Sequence, residues 1–287
     1  MTDHGRPETA PITSPRSDRV RRIASLSGRS ARRRTGEFRV DGPKAVRSLL
    51  DARPDLVREV FATDRALDSE PAFSALADRA GAPLRLVPEE ILRAMVAGGA
   101  AEGDLVSPQG IVAVARIPES DPFGTLEALP TDGPVTVVVL DALQDPGNVG
   151  TIIRTADAAG ADLVLCGTGT ADPFAPKVVR SSAGSLFHVP VAVGADLPTL
   201  LPRLRSRGIG VLATSGYAPA DLYATDLPPR AAWILGNEGR GVAPVLLEAA
   251  DASVGIPLAG RAESLNVAIA ATVCLFEALR RRRGGAL

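Results

Sequence analysis

The segment Val135-Thr136-Val137-Val138-Val139-Leu140 restricts the fold of this chain more than any other. Side chains alternate between the two faces of a strand, and here both faces are almost wholly apolar. Such a run fits a parallel strand covered by helices on either side, not an antiparallel strand with one wet face. Hydrophobic periodicity predicts further strands at 161–166, 189–193, 210–214, 232–235 and 252–256. It predicts helices at 149–159, 197–207, 244–250 and 265–283. This alternation defines an α/β domain over 134–287 with a mainly parallel sheet. Ligands of such sheets sit outside the carboxyl ends of the strands, so chemistry is expected in the loops that follow strands.

Upstream, a second β/α alternation over 19–118 predicts a smaller α/β domain. An Arg-rich helical stretch at 19–34 opens it. Strands at 36–42, 57–62, 84–87 and 110–117 and helices at 43–50, 70–80 and 88–97 follow. Pro118, Pro122, Gly124, Pro130, Gly133 and Pro134 mark 119–133 as a linker. Residues 1–18 are polar and Pro-containing and are expected to be a disordered tail.

The 287 residues carry a formal net charge of −1, from 32 Lys+Arg and 33 Asp+Glu, which taken alone argues against a nucleic-acid binder. That average conceals two basic ends. Residues 1–39 hold ten Arg against four acids, a net +6, and Arg280 to Arg283 add +4. Basic blocks serve as solvated tails or as polyanion-binding arms. No apolar run reaches the ~18 residues of a membrane helix, and the N-terminus lacks the apolar core of a secretory signal. Cys166 and Cys274 sit in apolar runs and make neither a disulfide framework nor a zinc site. His4 and His188 are too few for a metal cluster or a His-based triad, and His188 fits a strand edge. A cytoplasmic protein without a metal is the expectation.

Three post-strand segments could carry chemistry. In the first, Asp145-Pro146-Gly147 turns into a helix that Asn148 can cap, and Arg154 lies within two turns of its start, in reach of a phosphate or sugar. The second, Gly236-Asn237-Glu238-Gly239-Arg240-Gly241, is a Gly-rich loop whose N–H groups a ligand can approach closely. It is not a Walker A loop, because Val242 stands where Lys-Ser/Thr is needed. Gly167-Thr168-Gly169 begins a Rossmann fingerprint that fails at Asp172, so a nicotinamide-dependent dehydrogenase is disfavoured. The third runs from Ile256 to Val267, with Ser264 as a candidate N-cap. Behind it, Val267, Ala270, Ala271, Cys274, Leu275 and Ala278 follow helical spacing, as core or as a dimer face. Each segment also has a purely structural reading, as a cap or a tight turn.

Taken together, these segments resemble the signature motifs of the SpoU/TrmH family of RNA ribose 2′-O-methyltransferases, in the SPOUT superfamily. The matching residues are Asp145-Pro146-x-Asn148-x-Gly150-x-Ile152-x-Arg154-Thr155-Ala156, Gly236-Asn237-Glu238-x-x-Gly241 and Ile256-Pro257-x-x-Gly260-x-x-Glu263-Ser264-Leu265-Asn266. The resemblance covers about 134–284. Gly36-x-Phe38-x-Val40-x-Gly42 and Pro108-Gln109-Gly110 are similar to an L30e-like substrate-binding domain. The two-domain layout is similar to rRNA enzymes and to the thiostrepton-resistance methyltransferase.

The resemblance implies a deep trefoil knot in the catalytic domain. It implies S-adenosylmethionine bound by backbone groups around Thr214, Ser215 and Gly216, at Leu235 and Gly236, at Ile256 and Leu258, and at Leu265. It implies a homodimer in which each active site is completed by the partner, and structured RNA as substrate. The expected substrate is 23S rRNA, with tRNA as the alternative; an RNA-binding protein that has lost catalysis is the third reading. A ribose hydroxyl is a poor nucleophile until its proton leaves or its charge is stabilised. Arg154 is the first candidate, to stabilise the alkoxide or grip the adjacent phosphate in a bidentate fork. Glu238 is either the base or the group that orients Arg154. Asn148, Ser264 and Asn266 position the ribose, its phosphate or these partners. Arg32, Arg33, Arg34 and Arg180 are the expected phosphate contacts.

Overall fold

A computed structural model describes residue 12, residues 14–97 and residues 109–284. Most of the tail assigned to 1–18, together with His4 and Pro108, lies outside these residues. The chain divides into two compact units, Met1–Ile117 and Pro118–Leu287.

In the first unit the expected single Arg-rich helix is two. Helix α1 (Asp18–Ser25) is capped by Ser17, and α2 (Arg29–Thr35) ends at Gly36, whose φ of 66° suits glycine. Strand β1 (Glu37–Asp41) leads into α3 (Pro43–Ala52), with Pro43 in its first turn. Strand β2 (Val57–Ala62) follows, then α4 (Asp64–Ser69), which the sequence pattern does not predict, and α5 (Ala72–Arg79), which answers the helix predicted over 70–80 and starts after Pro71. Strand β3 (Leu84–Leu86), helix α6 (Glu89–Val96) and strand β4 (Ile111–Arg116) complete the unit. The strand order is β1-β4-β2-β3, with β4 antiparallel to both neighbours and β3 parallel to β2. Val20, Ile23 and Leu26 of the N-terminal segment bury against Phe61, Ile91, Leu92, Met95, Val112 and Val114.

That packing changes the meaning of the basic N-terminal block. Arg19 and Arg22 both bind the buried carboxylate of Glu59, and Arg22 also pairs with Glu37. Arg39 is buried on Asp41 and on the carbonyls of Met95 and Val96, closing the end of α6. Arg32 is only 2% exposed and donates to the carbonyls of Leu26 at 2.9 Å and Ser27 at 2.6 Å. This corrects its assignment as a phosphate contact: a guanidinium that satisfies the open carbonyls behind α1 is turned away from any external polyanion. Arg33 and Arg34 are exposed, and among the described residues neither side chain has a partner.

The second unit takes in the whole of the predicted linker. Residues 119–133 contain α7 (Pro122–Glu127), capped by Asp121, and Leu126 and Leu129 are buried in the same core as Val135, Val137 and Val139. The Pro and Gly residues there punctuate a packed helix, so 119–133 is corrected from linker to part of this unit's core. Strand β5 (Val135–Leu140) is buried throughout, as its composition requires. Helix α8 (Pro146–Ala158), β6 (Leu163–Gly167), α9 (Pro176–Ser181), β7 (Val191–Ala195) and α10 (Leu197–Ser206) follow. Then come β8 (Gly210–Thr214), the two-residue β9 (Ala220–Asp221), β10 (Arg230–Leu235), α11 (Pro244–Glu248), β11 (Ala252–Gly255) and α12 (Val267–Arg282). Short α9 is absent from the sequence reading. The strand order is β7-β6-β5-β10-β8-β11-β9, parallel at every pairing.

The C-terminal arginines are internal connectors. Glu277, buried on α12, accepts from Arg280 and Arg281. These hydrogen bonds hold its carboxyl down at about 2. Arg281 also donates to the carbonyls of Leu222, Tyr223 and Thr225, and Arg282 to that of Ala159, just past the end of α8.

Candidate active site

Adjacent parallel strands bring the three motif segments to one edge. Strands β5, β10, β8 and β11 are consecutive neighbours, so the loops beginning at Asp141, Gly236, Ser215 and Ile256 all leave the same carboxyl end. The register confirms the alignment: Leu140 pairs with Leu235, Ile234 with Ala213, and Thr214 with Val254.

The first two loops lock together. Asp145 caps α8, its Oδ1 accepting from Asn148 N at 2.9 Å. Asn148 is therefore inside the first turn rather than the cap, because Pro146 starts the helix one residue after Asp145. Asn237 Nδ2 donates to Ala142 O at 2.8 Å, while its Oδ1 accepts from the N–H groups of Gly239 and Arg240 at 3.0 and 3.2 Å. Gly236 must lack a side chain, since a Cβ would collide with Gly241 and the Val242 nitrogen. Asp141 Oδ2 closes the loop by accepting from Ala243 N at 2.8 Å.

Glu238 stands at the centre of this junction. Its carboxylate accepts from the backbone N–H of Gln144 (3.2 Å) and Asp145 (3.1 Å) and from Asn148 Nδ2 (3.1 Å). Partial burial pushes its carboxyl up, but these bonds and one from its own backbone outweigh burial and hold it below the ordinary range. Asn148 Oδ1 in turn accepts from Asn266 Nδ2 at 3.0 Å. Asn266, not Ser264, caps α12: its Oδ1 takes the N–H groups of Ala268 and Ile269, because the helix begins only at Val267. A polar chain thus runs Asn266–Asn148–Glu238 through all three motifs.

Arg154 is exposed on α8, and among the described residues its guanidinium has no hydrogen-bond or ionic partner. The next residue, Thr155, faces inward and meets Thr272 Oγ1 at 3.2 Å, anchoring α8 to α12. Among the described residues no hydrogen bond or ion pair joins Glu238 to Arg154, and the carboxylate instead holds the start of α8. The side chains of Ser264, Arg240 and Arg261 are exposed and have no partner among the described residues, and that of half-buried Arg180 has none either. Asp145, Asn237 and Asp141 were missed as functional positions. All three lie within or beside the motifs, but their fold-closing bonds span about a hundred positions or a helix turn.

The predicted cofactor residues gather on the β10–β8–β11 side. Thr214 Oγ1 donates to Ile234 O at 2.9 Å, and Ser215 N to Val254 O at 3.1 Å. A Cβ on Gly216 would lie 3.4 Å from Glu263 O, so this turn abuts the third loop. Leu235 is buried, and Leu258 and Leu265 are exposed. Among the described residues, none of the backbone groups from Ile256 to Leu265 is hydrogen-bonded. Ten residues of open backbone beside exposed apolar side chains suit a ligand held by main-chain groups, and S-adenosylmethionine fits that character. Among the described residues no cluster of three or more His, Cys, Asp or Glu could hold a metal ion. No helix in them is long and apolar enough to cross a membrane.

A parallel sheet with knitted loops at its carboxyl edge, an unpartnered arginine and an open main-chain cradle defines a ligand-binding α/β enzyme domain. Comparison with known proteins narrows this. Residues 135–276 match the SpoU rRNA Methylase family, and residues 40–120 match the RNA 2′-O ribose methyltransferase substrate binding family. A 23S rRNA (guanosine(2553)-2′-O)-methyltransferase, RlmP of Bacillus subtilis, is 36% identical over 92% of this chain and 97% of its own. The 23S rRNA (guanosine-2′-O-)-methyltransferase RlmB of Pseudomonas putida is 33% identical over 85% of this chain and 97% of its own. An AdoMet-bound rRNA methyltransferase from Sinorhizobium meliloti superposes with a TM-score of 0.79 at 31% identity, covering 95% of this chain and 97% of that one. The SpoU methyltransferase AviRb from Streptomyces viridochromogenes, in complex with AdoMet, gives 0.78 at 30% identity, covering 94% and 100%. The chain belongs to the SpoU methylase family of S-adenosylmethionine-dependent RNA methyltransferases.

Proposed function

We propose that this protein transfers a methyl group from S-adenosylmethionine to a ribose 2′-hydroxyl of 23S rRNA. The observation that carries the residue roles is the unpartnered Arg154 on a helix whose start is fixed by the Asn266–Asn148–Glu238 chain. The bound sulfonium supplies an electrophilic methyl that needs no acid for its departing group. What the protein must provide is a hydroxyl oriented toward it and stabilisation of the developing negative charge. Arg154 is the only cation among the matching motif residues, and its fork suits an alkoxide or the flanking phosphate. Glu238 serves as the anchor of the loop rather than as the base: its carboxylate is already bound by three N–H donors and is a weak proton acceptor at neutral pH. Asn148 and Asn266 position; Ser264 and the main chain of 214–216, 235–236, 256–258 and Leu265 line the donor side. Arg33, Arg34 and Arg180 are open for phosphate contact.

The deep knot and the homodimer belong to the same reading. Support for the dimer comes from α12, where Ile269 (54% exposed) and Phe276 (39% exposed) share one face with half-buried Val273. Their spacing makes an apolar stripe that a second copy would cover.

The test is to incubate the protein with labelled methyl donor and unmodified rRNA or tRNA, then map the product by alkaline hydrolysis. A 2′-O-methyl blocks cleavage at one position in 23S rRNA. Label recovered in a base would refute the reaction type, and label in tRNA alone would refute the substrate.

A further inference from the structure

The chain has two tyrosines, and both are exposed: Tyr217 by 89% and Tyr223 by 55%. They lie on one segment, which leaves β8, crosses the carboxyl end of β11 and pairs with it as β9 at the sheet edge. The crossing is close, since a Cβ on Gly255 would sit 3.1 Å from Ser215 O and 3.5 Å from Ala218 Cβ. Tyr217 N donates to Ser215 Oγ at 3.1 Å, and Ser215 N is held by Val254. Tyr223 N donates to Asp221 Oδ1 at 2.7 Å, and its carbonyl accepts from Arg281 Nη2 at 2.9 Å. Both rings therefore stand in water on a main chain tied to β11 or α12. The open backbone of 256–265 comes up to this segment, since a Cβ on Gly216 would lie 3.4 Å from Glu263 O, and it carries exposed Arg261, whose side chain has no partner among the described residues.

A rigid main chain under an exposed ring is a pre-organised contact: little conformational freedom remains to be lost when something stacks on it. The proposed reaction supplies a need for such contacts. Recognition of a single nucleotide in structured RNA falls mostly on single-stranded loops and bulges, whose unstacked bases splay out against the protein. Aromatic side chains replace the lost stacking in a way that tolerates any base. We propose that Tyr217 and Tyr223 are stacking platforms for unstacked nucleobases of the RNA strand entering the methyl-transfer site, with Arg261 meeting that strand's backbone. The proposal rests on the RNA-methyltransferase reading and adds to it the surface that holds the opened strand.

The experiment is fluorescence anisotropy of the full-length protein with a labelled single-stranded RNA of roughly 12 nucleotides and with the same sequence as a duplex. Tyr217→Ala and Tyr223→Ala should each weaken single-strand binding about tenfold and leave duplex binding unchanged, while Tyr217→Phe, which keeps a ring, stays close to wild type. Unchanged single-strand affinity in both alanine variants overturns the proposal, as does an equal loss for the duplex. A drop in native mass for Tyr217→Ala would show that a second copy covers the ring. A weaker S-adenosylmethionine Kd would place the ring in the cofactor pocket; either result also overturns it. Because the readout is equilibrium binding, a wild type that methylates no ribose would sink the proposed reaction while leaving the stacking result interpretable.

Discussion

Asn266 donates its side-chain amide to Asn148 Oδ1 at 3.0 Å across 118 positions of sequence, and Asn148 hands its own amide to Glu238. One asparagine thus fixes the N-terminus of α8 relative to both the Gly-rich loop and the start of α12. Asn148→Asp replaces the donor facing Glu238 with a second carboxylate. We expect kcat to fall about a hundredfold through misplacement of α8, and the S-adenosylmethionine Kd to change far less, because the cofactor segments at 214–216 and 256–258 make no bond to Asn148. Labelled-methyl turnover and cofactor titration measure the two; a loss confined to cofactor binding would contradict the positioning role.

Arg154→Ala should abolish methyl transfer, by about 100-fold or more, and leave cofactor affinity near wild type. Arg154→Lys keeps the charge but loses the fork, and should recover only part of the activity. Since Arg154 has no partner among the described residues, neither change should lower Tm appreciably. Turnover equal to wild type in the alanine variant would remove Arg154 from the chemistry.

The N-terminal arginines separate by burial. Replacing exposed Arg33 and Arg34 together by alanine should weaken RNA binding and reduce the slope of log K against log salt by roughly 1.5, two phosphate contacts' worth. Arg32→Ala should instead destabilise the first unit by about 1–3 kcal/mol, since two carbonyls lose a charged donor. Salt-dependent binding and chemical denaturation distinguish the cases. An unchanged slope in the double variant would make Arg33 and Arg34 solvated surface.

Hydrogen bonds from Arg280 and Arg281 depress the Glu277 carboxyl from 4.5 to about 2. A depressed carboxyl stabilises the fold fully above its unfolded pKa and ceases to do so as pH falls through the folded value. The Tm difference between wild type and Glu277→Gln should therefore be largest near neutrality and shrink from about pH 4.5 toward about pH 2. Thermal scans across that range test it; a difference independent of pH would mean that packing, not the ion pairs, is what the substitution removes.

Much of the candidate site was legible because its residues lie in short post-strand segments. Arg154, Asn148, Glu238 and Asn266 could be picked out, but their relations could not. Asn148 and Ser264 were natural caps by residue type, yet Asp145 and Asn266 cap the helices, because a helix's first residue depends on where its loop is pinned. The predicted linker failed for a similar reason: Pro and Gly interrupt 119–133, while Leu126 and Leu129 decide that it packs.

The sequence by itself determined the parallel sheet, through a strand apolar on both faces, and the three loops that emerge from it. It also determined an uneven charge distribution, with ten arginines in the first 39 residues. Only tertiary structure decided how those charges are used. Arg19, Arg22, Arg32 and Arg39 are tied to buried carboxylates or helix-end carbonyls, and Arg281 and Arg282 staple the C-terminal helix to loops. A formal charge count sees these and exposed Arg33, Arg34 and Arg154 as equals. The fold separates them, because a guanidinium committed to carbonyls and carboxylates inside the protein is turned away from an RNA phosphate.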